Sequence, residues 1–114
     1  MMRSIIRSKI QKATVIQAEL HYVGSITIDQ DLIERVGLWE GEKVLIVSIT
    51  SGARLETYVI PGERGSGVIS MNGAAAHLIE KGEEVIILGF EITDRPVEMK
   101  NIIVDKNNRF LRYV

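Results

Sequence analysis

The heptad Gly41-Glu42-Lys43-Val44-Leu45-Ile46-Val47 returns as Gly82-Glu83-Glu84-Val85-Ile86-Ile87-Leu88, an offset of 41 residues. In each copy a short helical pattern precedes the Gly-Glu pair and an apolar, β-branched run follows it. A repeat of this kind reads as an internal duplication: two strand–helix–strand halves related by a pseudo-twofold axis. Two such halves close into a small barrel, which removes open sheet edges. The plainer alternative is a common turn, Gly-Glu before an apolar strand, that happens to occur twice.

The rest of the chain has the same texture. Short runs rich in Val and Ile, bounded by Gly, Asn and charge, predict strands over Ala13–Leu20, Ile26–Ile28, Lys43–Thr50, Leu55–Ile60, Val68–Ser70, Glu84–Ile92 and Asn101–Asp105. A last short strand is expected over Phe110–Val114, after the turn at Asn107-Asn108. One helix is predicted over Gln30–Val36, with Asp29 as N-cap and Gly37 as its stop. A second is predicted over Ala74–Glu80, entered from Asn72-Gly73 and ended before Gly82. Each is too short to be stable alone and must lie on the strands. Pro61-Gly62-Glu63-Arg64-Gly65-Ser66-Gly67 is the one long irregular stretch, expected as a structured turn or a flexible lid. The whole is read as one mainly β domain, residues 1–114.

Composition narrows the function classes. A net charge of -1 gives no electrostatic reason to expect nucleic acid or an anionic membrane as partner. No run approaches the ~20 apolar residues of a membrane span. Charge interrupts Met1-Met2-Arg3-Ser4-Ile5-Ile6-Arg7-Ser8-Lys9 too often for a signal peptide, so a cytoplasmic protein is expected. With no cysteine there is no disulfide framework, thiol nucleophile or thiolate metal site. His21 and His77 have no ligand spacing around them, and no metal site is expected. The glycine-rich stretch lacks the Gly-Lys-Ser/Thr ending of a phosphate loop.

Four blocks are more specific: Tyr22-Val23-Gly24-Ser25-Ile26-Thr27-Ile28-Asp29, Arg54-Leu55-Glu56-Thr57-Tyr58, Gly62-Glu63-Arg64-Gly65-Ser66-Gly67 and Asn72-Gly73-Ala74-Ala75-Ala76. In this order and spacing the chain resembles the pyruvoyl-dependent aspartate 1-decarboxylases from Lys9 through Asn108. The resemblance implies a double-psi β-barrel, a homotetramer, and conversion of L-aspartate to β-alanine and carbon dioxide in pantothenate biosynthesis.

It also implies that the chain makes its own cofactor. Amino-acid decarboxylation needs an electron sink, which unmodified side chains do not supply. In the family the Ser25 hydroxyl would attack the Gly24 carbonyl. The resulting ester would eliminate, cleaving the chain into 1–24 and 25–114. Hydrolysis of the dehydroalanine would leave a covalent pyruvoyl group at position 25. Gly24 suits attack because it carries no side chain and tolerates strained backbone angles. By resemblance Thr57 serves processing through its hydroxyl, and Tyr58 donates the proton to the former α-carbon after a Schiff base with the substrate amine has lost its carboxylate. Arg54 is expected to hold the substrate's side-chain carboxylate through its planar fork, with Lys9 as a second cation. Gly73, Ala74 and Ala75 match the family's substrate-binding segment, and Asn72 would orient the bound imine.

On spacing alone, Ser25 is an ordinary turn residue, Thr57 a ladder residue, Asn72-Gly73 a good turn pair and Arg54 a strand-edge charge. Many relatives carry histidine two residues after the lysine; here Gln11 stands there, which hydrogen-bonds but does not titrate. A non-enzymatic barrel acting as a binding or assembly module is the competing class. It predicts no cleavage and no carbon dioxide from aspartate.

Overall fold

The protein's structure, a computed structural model, describes residues 1–114. Its elements in chain order are β1 (Arg3–Thr14), β2 (Gln17–Glu19), β3 (Ser25–Asp29), α1 (Gln30–Val36), β4 (Lys43–Ser48), β5 (Arg54–Gly62), β6 (Ile69–Asn72), α2 (Ala75–Leu78), β7 (Glu84–Thr93), β8 (Lys100–Val104) and β9 (Phe110–Tyr113). The strands form one nine-stranded sheet in the order β2-β6-β3-β5-β4-β7-β1-β8-β9. β1 and β2 are one strand broken only at Val15 and Ile16. Val15 N–H donates to Glu83 O at 2.9 Å and Ile16 N–H to Ile69 O at 2.9 Å, so this break joins β7 to β6 and the sheet closes on itself. The fold is the expected small, mainly β barrel with two short helices.

The duplication is visible in the register. β4 and β7 pair antiparallel with Ile46 opposite Ile87, its own counterpart in the repeat. Leu45 then faces Leu88 and Val47 faces Ile86, the exchange a twofold axis between the strands demands. In the β3·β6 ladder Ile28 likewise faces Ile69, again an offset of 41. The Gly-Glu turns explain why the heptad recurs. Gly41 and Gly82 sit at φ 80° and 95°, where an L side chain is strained. Glu42 accepts from Trp39 N–H at 3.0 Å, and Glu83 accepts from Glu80 N–H at 2.7 Å. Each carboxylate thus satisfies the backbone three residues earlier, and the same turn chemistry is needed twice.

The barrel interior is aliphatic. Ile10, Ile26, Ile28, Ile46, Val59, Ile69, Met71, Ile87 and Ile102 are fully buried. α1 forms over the residues predicted for it: Asp29 accepts from Asp31 N–H at 2.9 Å, and Gly37 ends the helix at φ 74°. Its seven residues hold because Leu32, Ile33 and Val36 are buried against the barrel, each contributing about 1.5–3 kcal/mol. Neither helix is long and apolar enough to cross a membrane.

Two sequence expectations need correction. Ala13–Leu20 is not one strand; the strand begins at Arg3, breaks at Val15-Ile16 and resumes as β2. Register shifts between Ile6 and Ser8 and between Ile10 and Ala13, with Lys12 at φ 64°, interrupt the period-two pattern that would have revealed it. The second helix is Ala75–Leu78 rather than Ala74–Glu80. No side chain caps its start, and Ile79 turns extended (φ -127°, ψ 118°) with its side chain fully buried. Of the two forms expected for Pro61–Gly67, the chain takes the structured turn. Pro61 and Gly62 pair with β3, and Asp29 accepts from Gly65 N–H at 2.9 Å and Gly67 N–H at 2.8 Å.

Arg64 completes that turn by a two-pronged ion pair to Glu34, with both contacts 2.7 Å. The Arg64 hydrogen bond, helped by Gln30, holds the Glu34 carboxyl down to about 2 from the usual 4.5. A depressed carboxyl stabilises the fold above its unfolded value, and the support is lost as pH falls through the folded value. Melting temperatures of wild type and Arg64→Gln should therefore differ at pH 6 and converge as pH falls from about 4.5 to about 2. Both groups are exposed, so the difference is small and shrinks with salt.

Candidate functional site

β3 begins at Ser25, and both neighbouring strands bring chemistry to it. In the β3·β6 ladder Ser25 lies directly opposite Asn72. In the parallel β3·β5 ladder Ile26 pairs with Val59, which puts Tyr58 one step back, beside Ser25. Ile26 and Ile28 face the core, so Ser25 and Thr27 face the other way by alternation. Asn72 Nδ2 donates to Ser25 Oγ at 2.9 Å and to Thr27 Oγ1 at 3.0 Å. Ser70 Oγ donates to Asn72 Oδ1 at 3.1 Å. Ser25 Oγ donates in turn to Val23 O at 3.3 Å. Ser25, Ser70 and Asn72 are all buried, and the polar cluster leaves no buried side-chain atom unpaired.

The residues just before Ser25 are exposed: Tyr22 by 64% and Val23 by 65%, against none for Ser25. The chain therefore runs from a solvent-exposed loop into a buried hydroxyl within two residues. Gly24 faces a cleft of about 370 Å³ that it lines with Leu55, Glu56, Thr57, Tyr58, Ala74, Ala75 and Leu78. Gly73 packs directly against Gly24. It sits at φ 67°, and a Cβ there would lie 2.7 Å from Gly24 Cα and 2.9 Å from Gly24 N. Its N–H donates to Glu19 O at 2.7 Å, which ties the Asn72-Gly73 turn to the segment leading into the loop.

Gly24, Thr57, Tyr58, Ala74 and Ala75 thus share one cleft, while Gly73 packs on Gly24 and Asn72 bonds Ser25 next to it. The family model described as aspartate decarboxylase matches residues 1–111. The chain belongs to the aspartate decarboxylase family. It is accordingly a carbon–carbon lyase acting on a small molecule.

Two expected residues lie elsewhere in this aspartate decarboxylase. Neither Lys9 nor Arg54 lines the cleft, and its one charged residue is Glu56, paired with Lys43 at 3.2 Å. Arg54 and Tyr58 share β5 and a face, but their Cα atoms are separated by about 13 Å of strand. Lys9 is reached from Glu56 through Leu45 and Leu88, three strand spacings or about 14 Å. Gln11 donates to Asn101 Oδ1 at 2.8 Å, on the same side of the barrel as Lys9.

Gly24 does not use its freedom to adopt left-handed angles. Its φ lies outside the left-handed range, and a Cβ would meet nothing within 4 Å. The tight position is Gly73. Sequence reasoning also passed over Thr27 and Ser70, the two hydroxyls that hold Asn72. Their signal is a period of two: Ser25-x-Thr27 and Ser70-x-Asn72 place polar residues on one face of otherwise apolar strands.

Proposed function

We propose that this family member is a self-processing aspartate 1-decarboxylase that converts L-aspartate to β-alanine and carbon dioxide, with a pyruvoyl group formed from Ser25. The observation that carries the reading is the junction at Gly24-Ser25: an exposed residue with no side chain to shield its carbonyl, followed by a buried hydroxyl fixed by Asn72 at 2.9 Å. In the first step Ser25 Oγ bonds to the Gly24 carbonyl carbon, the C–N bond breaks, and the hydroxyl proton ends on the freed amine. Elimination across Cα–Cβ releases the Gly24 carboxylate. Water then displaces ammonia and leaves a ketone at residue 25. Thr57 borders Gly24 in the cleft and supplies a hydroxyl for the oxyanion of the first step.

The surroundings fit such a group. Residue 25 starts a strand, so scission cuts the chain at the end of the exposed loop and leaves β1 and β2 paired in the barrel, and the cleft is lined by small and apolar residues together with Glu56, Thr57 and Tyr58. When present, the ketone supplies a condensation site for an amine and a sink for the electrons left by carbon dioxide. Tyr58 stands beside residue 25 and 36% exposed, placed to hand a proton to the substrate's α-carbon. Asn72 orients what is bound at residue 25. Backbone N–H groups of Ala74 and Ala75 border the same space and are approachable because their side chains are small, while Gly73, whose N–H is held by Glu19 O, shapes the segment that presents them.

A substrate with two carboxylates needs cations, and the cleft of one chain offers only Glu56. Lys9 and Arg54 lie on the outer face of the sheet, and in this reading those of a second copy complete the cleft of the first. Sites between copies fit the symmetric homotetramer that the family resemblance implies, as it implies a role in pantothenate synthesis in the cytoplasm.

Tyr58→Phe tests the division of labour. The variant should still cleave into two chains, while carbon dioxide release per pyruvoyl group falls by about 10²-fold or more. Near-normal turnover with full pyruvoyl content would remove Tyr58 as the proton donor.

A further inference from the structure

We propose that Ser70 is a positioning residue for chain scission: it sets which end of the Asn72 carboxamide faces the Ser25 hydroxyl. The inference rests on the self-processing reading above. Asn72 sits between three hydroxyls, Ser25 and Thr27 at one end and Ser70 at the other. A carboxamide turned over by 180° occupies the same volume but exchanges donor for acceptor. With Ser70 donating to Oδ1, the amide N–H groups face Ser25 and Thr27. Ser25 Oγ then accepts from Asn72, and its single proton is directed to Val23 O at 3.3 Å.

That arrangement aims a donor at Ser25 Oγ, where negative charge appears as the hydroxyl gives up its proton, and it leaves one lone pair free for the attack; the charge that then grows on the Gly24 carbonyl oxygen falls to the Thr57 hydroxyl. In the turned-over arrangement Oδ1 would draw the Ser25 proton to itself and face the developing charge with a carbonyl dipole. Donation from Ser70 to Oδ1 also polarises the amide, strengthening the N–H that reaches Ser25. Burial of Ser70 and Asn72 excludes water as a substitute donor: they are 4% and 3% exposed. Thr27 cooperates by engaging Nδ2 a second time. Ser70 is on β6, two residues from Asn72, and lies outside the cleft that receives substrate.

The test follows appearance of the 25–114 fragment by intact mass over time in freshly purified wild type, Ser70→Ala and Ser70→Thr. Loss of one buried hydrogen bond predicts cleavage about tenfold slower in Ser70→Ala. Ser70→Thr keeps the donor and should recover a rate within about twofold of wild type, which a purely packing role would not produce. Should Ser70→Ala fail to fold, Thr27→Val, at a partly exposed position, takes its place with the same expected slowing. A wild type that never cleaves overturns the self-processing reading and this inference with it. A wild type that cleaves, alongside Ser70→Ala at the same rate or Ser70→Thr as slow as Ser70→Ala, overturns the role of Ser70 alone.

Discussion

Ser25→Ala is expected to leave a single chain near 12.8 kDa that releases no carbon dioxide from aspartate. The substitution removes one oxygen from a buried site and introduces no new atom, so the barrel should remain folded. Asn72 Nδ2 keeps Thr27 Oγ1 as acceptor at 3.0 Å, which limits the stability cost to about 1 kcal/mol. Every chemical step depends on that oxygen. It is the nucleophile in scission, the atom bridging the ester and the leaving group in elimination. No other hydroxyl is placed to substitute: Thr27 is two residues further along the chain and Thr57 is on β5. Denaturing electrophoresis and intact mass report scission, and carbon dioxide release reports turnover. A Ser25→Ala protein that still splits before residue 25 would show that the bond is broken by something other than this hydroxyl.

Gly73→Ala should have an effect nearly as large through geometry rather than chemistry. Two penalties coincide there. A φ of 67° costs an alanine about 1–2 kcal/mol. The new Cβ would also stand 2.7 Å from Gly24 Cα, and the obstructing atoms are backbone, which cannot swing aside. Either Gly73 or Gly24 has to move by a substantial fraction of an ångström. Displacements of about 1 Å in a reacting pair cost about 10²-fold in rate, so cleavage should slow by about tenfold or more, approaching that factor. Gly52→Ala separates the two penalties. Gly52 has φ 80° but nothing within 4 Å of its Cβ position. Gly52→Ala should lower the melting temperature by roughly 4 °C and leave cleavage at the wild-type rate. Equal cleavage rates in the two variants would show that close packing of Gly73 on Gly24 is unimportant to scission.

The parts of the fold legible in the sequence are those fixed by local chemistry. Asp29 and Gly37 delimit α1 because a helix end has unpaired backbone groups that a carboxylate and a left-handed glycine satisfy. The repeated Gly-Glu pair could be read because each glutamate bonds a backbone N–H three residues before it. β1 was not legible, since its bulges shift the alternation and its pairing partners, β7 and β8, lie more than 70 residues away.

The candidate site divides along the same line. Gly24, Thr57, Tyr58, Ala74 and Ala75 could be assigned through resemblance, and the ladders bring them to one cleft. That Gly73 rather than Gly24 is the sterically tight glycine depends on how two turns pack, which spacing does not encode. The separation of Lys9 from the cleft is likewise a property of strand order, whereas that of Arg54 from Tyr58 is the length of strand between them. Ser70 was missed for a different reason: a serine in a strand is common, and only its bond to Asn72 Oδ1 distinguishes it.

The central claim is that residue 25 ends as a ketone, and borohydride trapping followed by intact mass of purified wild-type protein tests it most directly. The account predicts two fragments, 1–24 and 25–114, the longer without a free α-amine, gaining the mass of two hydrogens on reduction and losing all activity as it does so. An unbroken chain that decarboxylates aspartate at an undiminished rate after exhaustive reduction would contradict it.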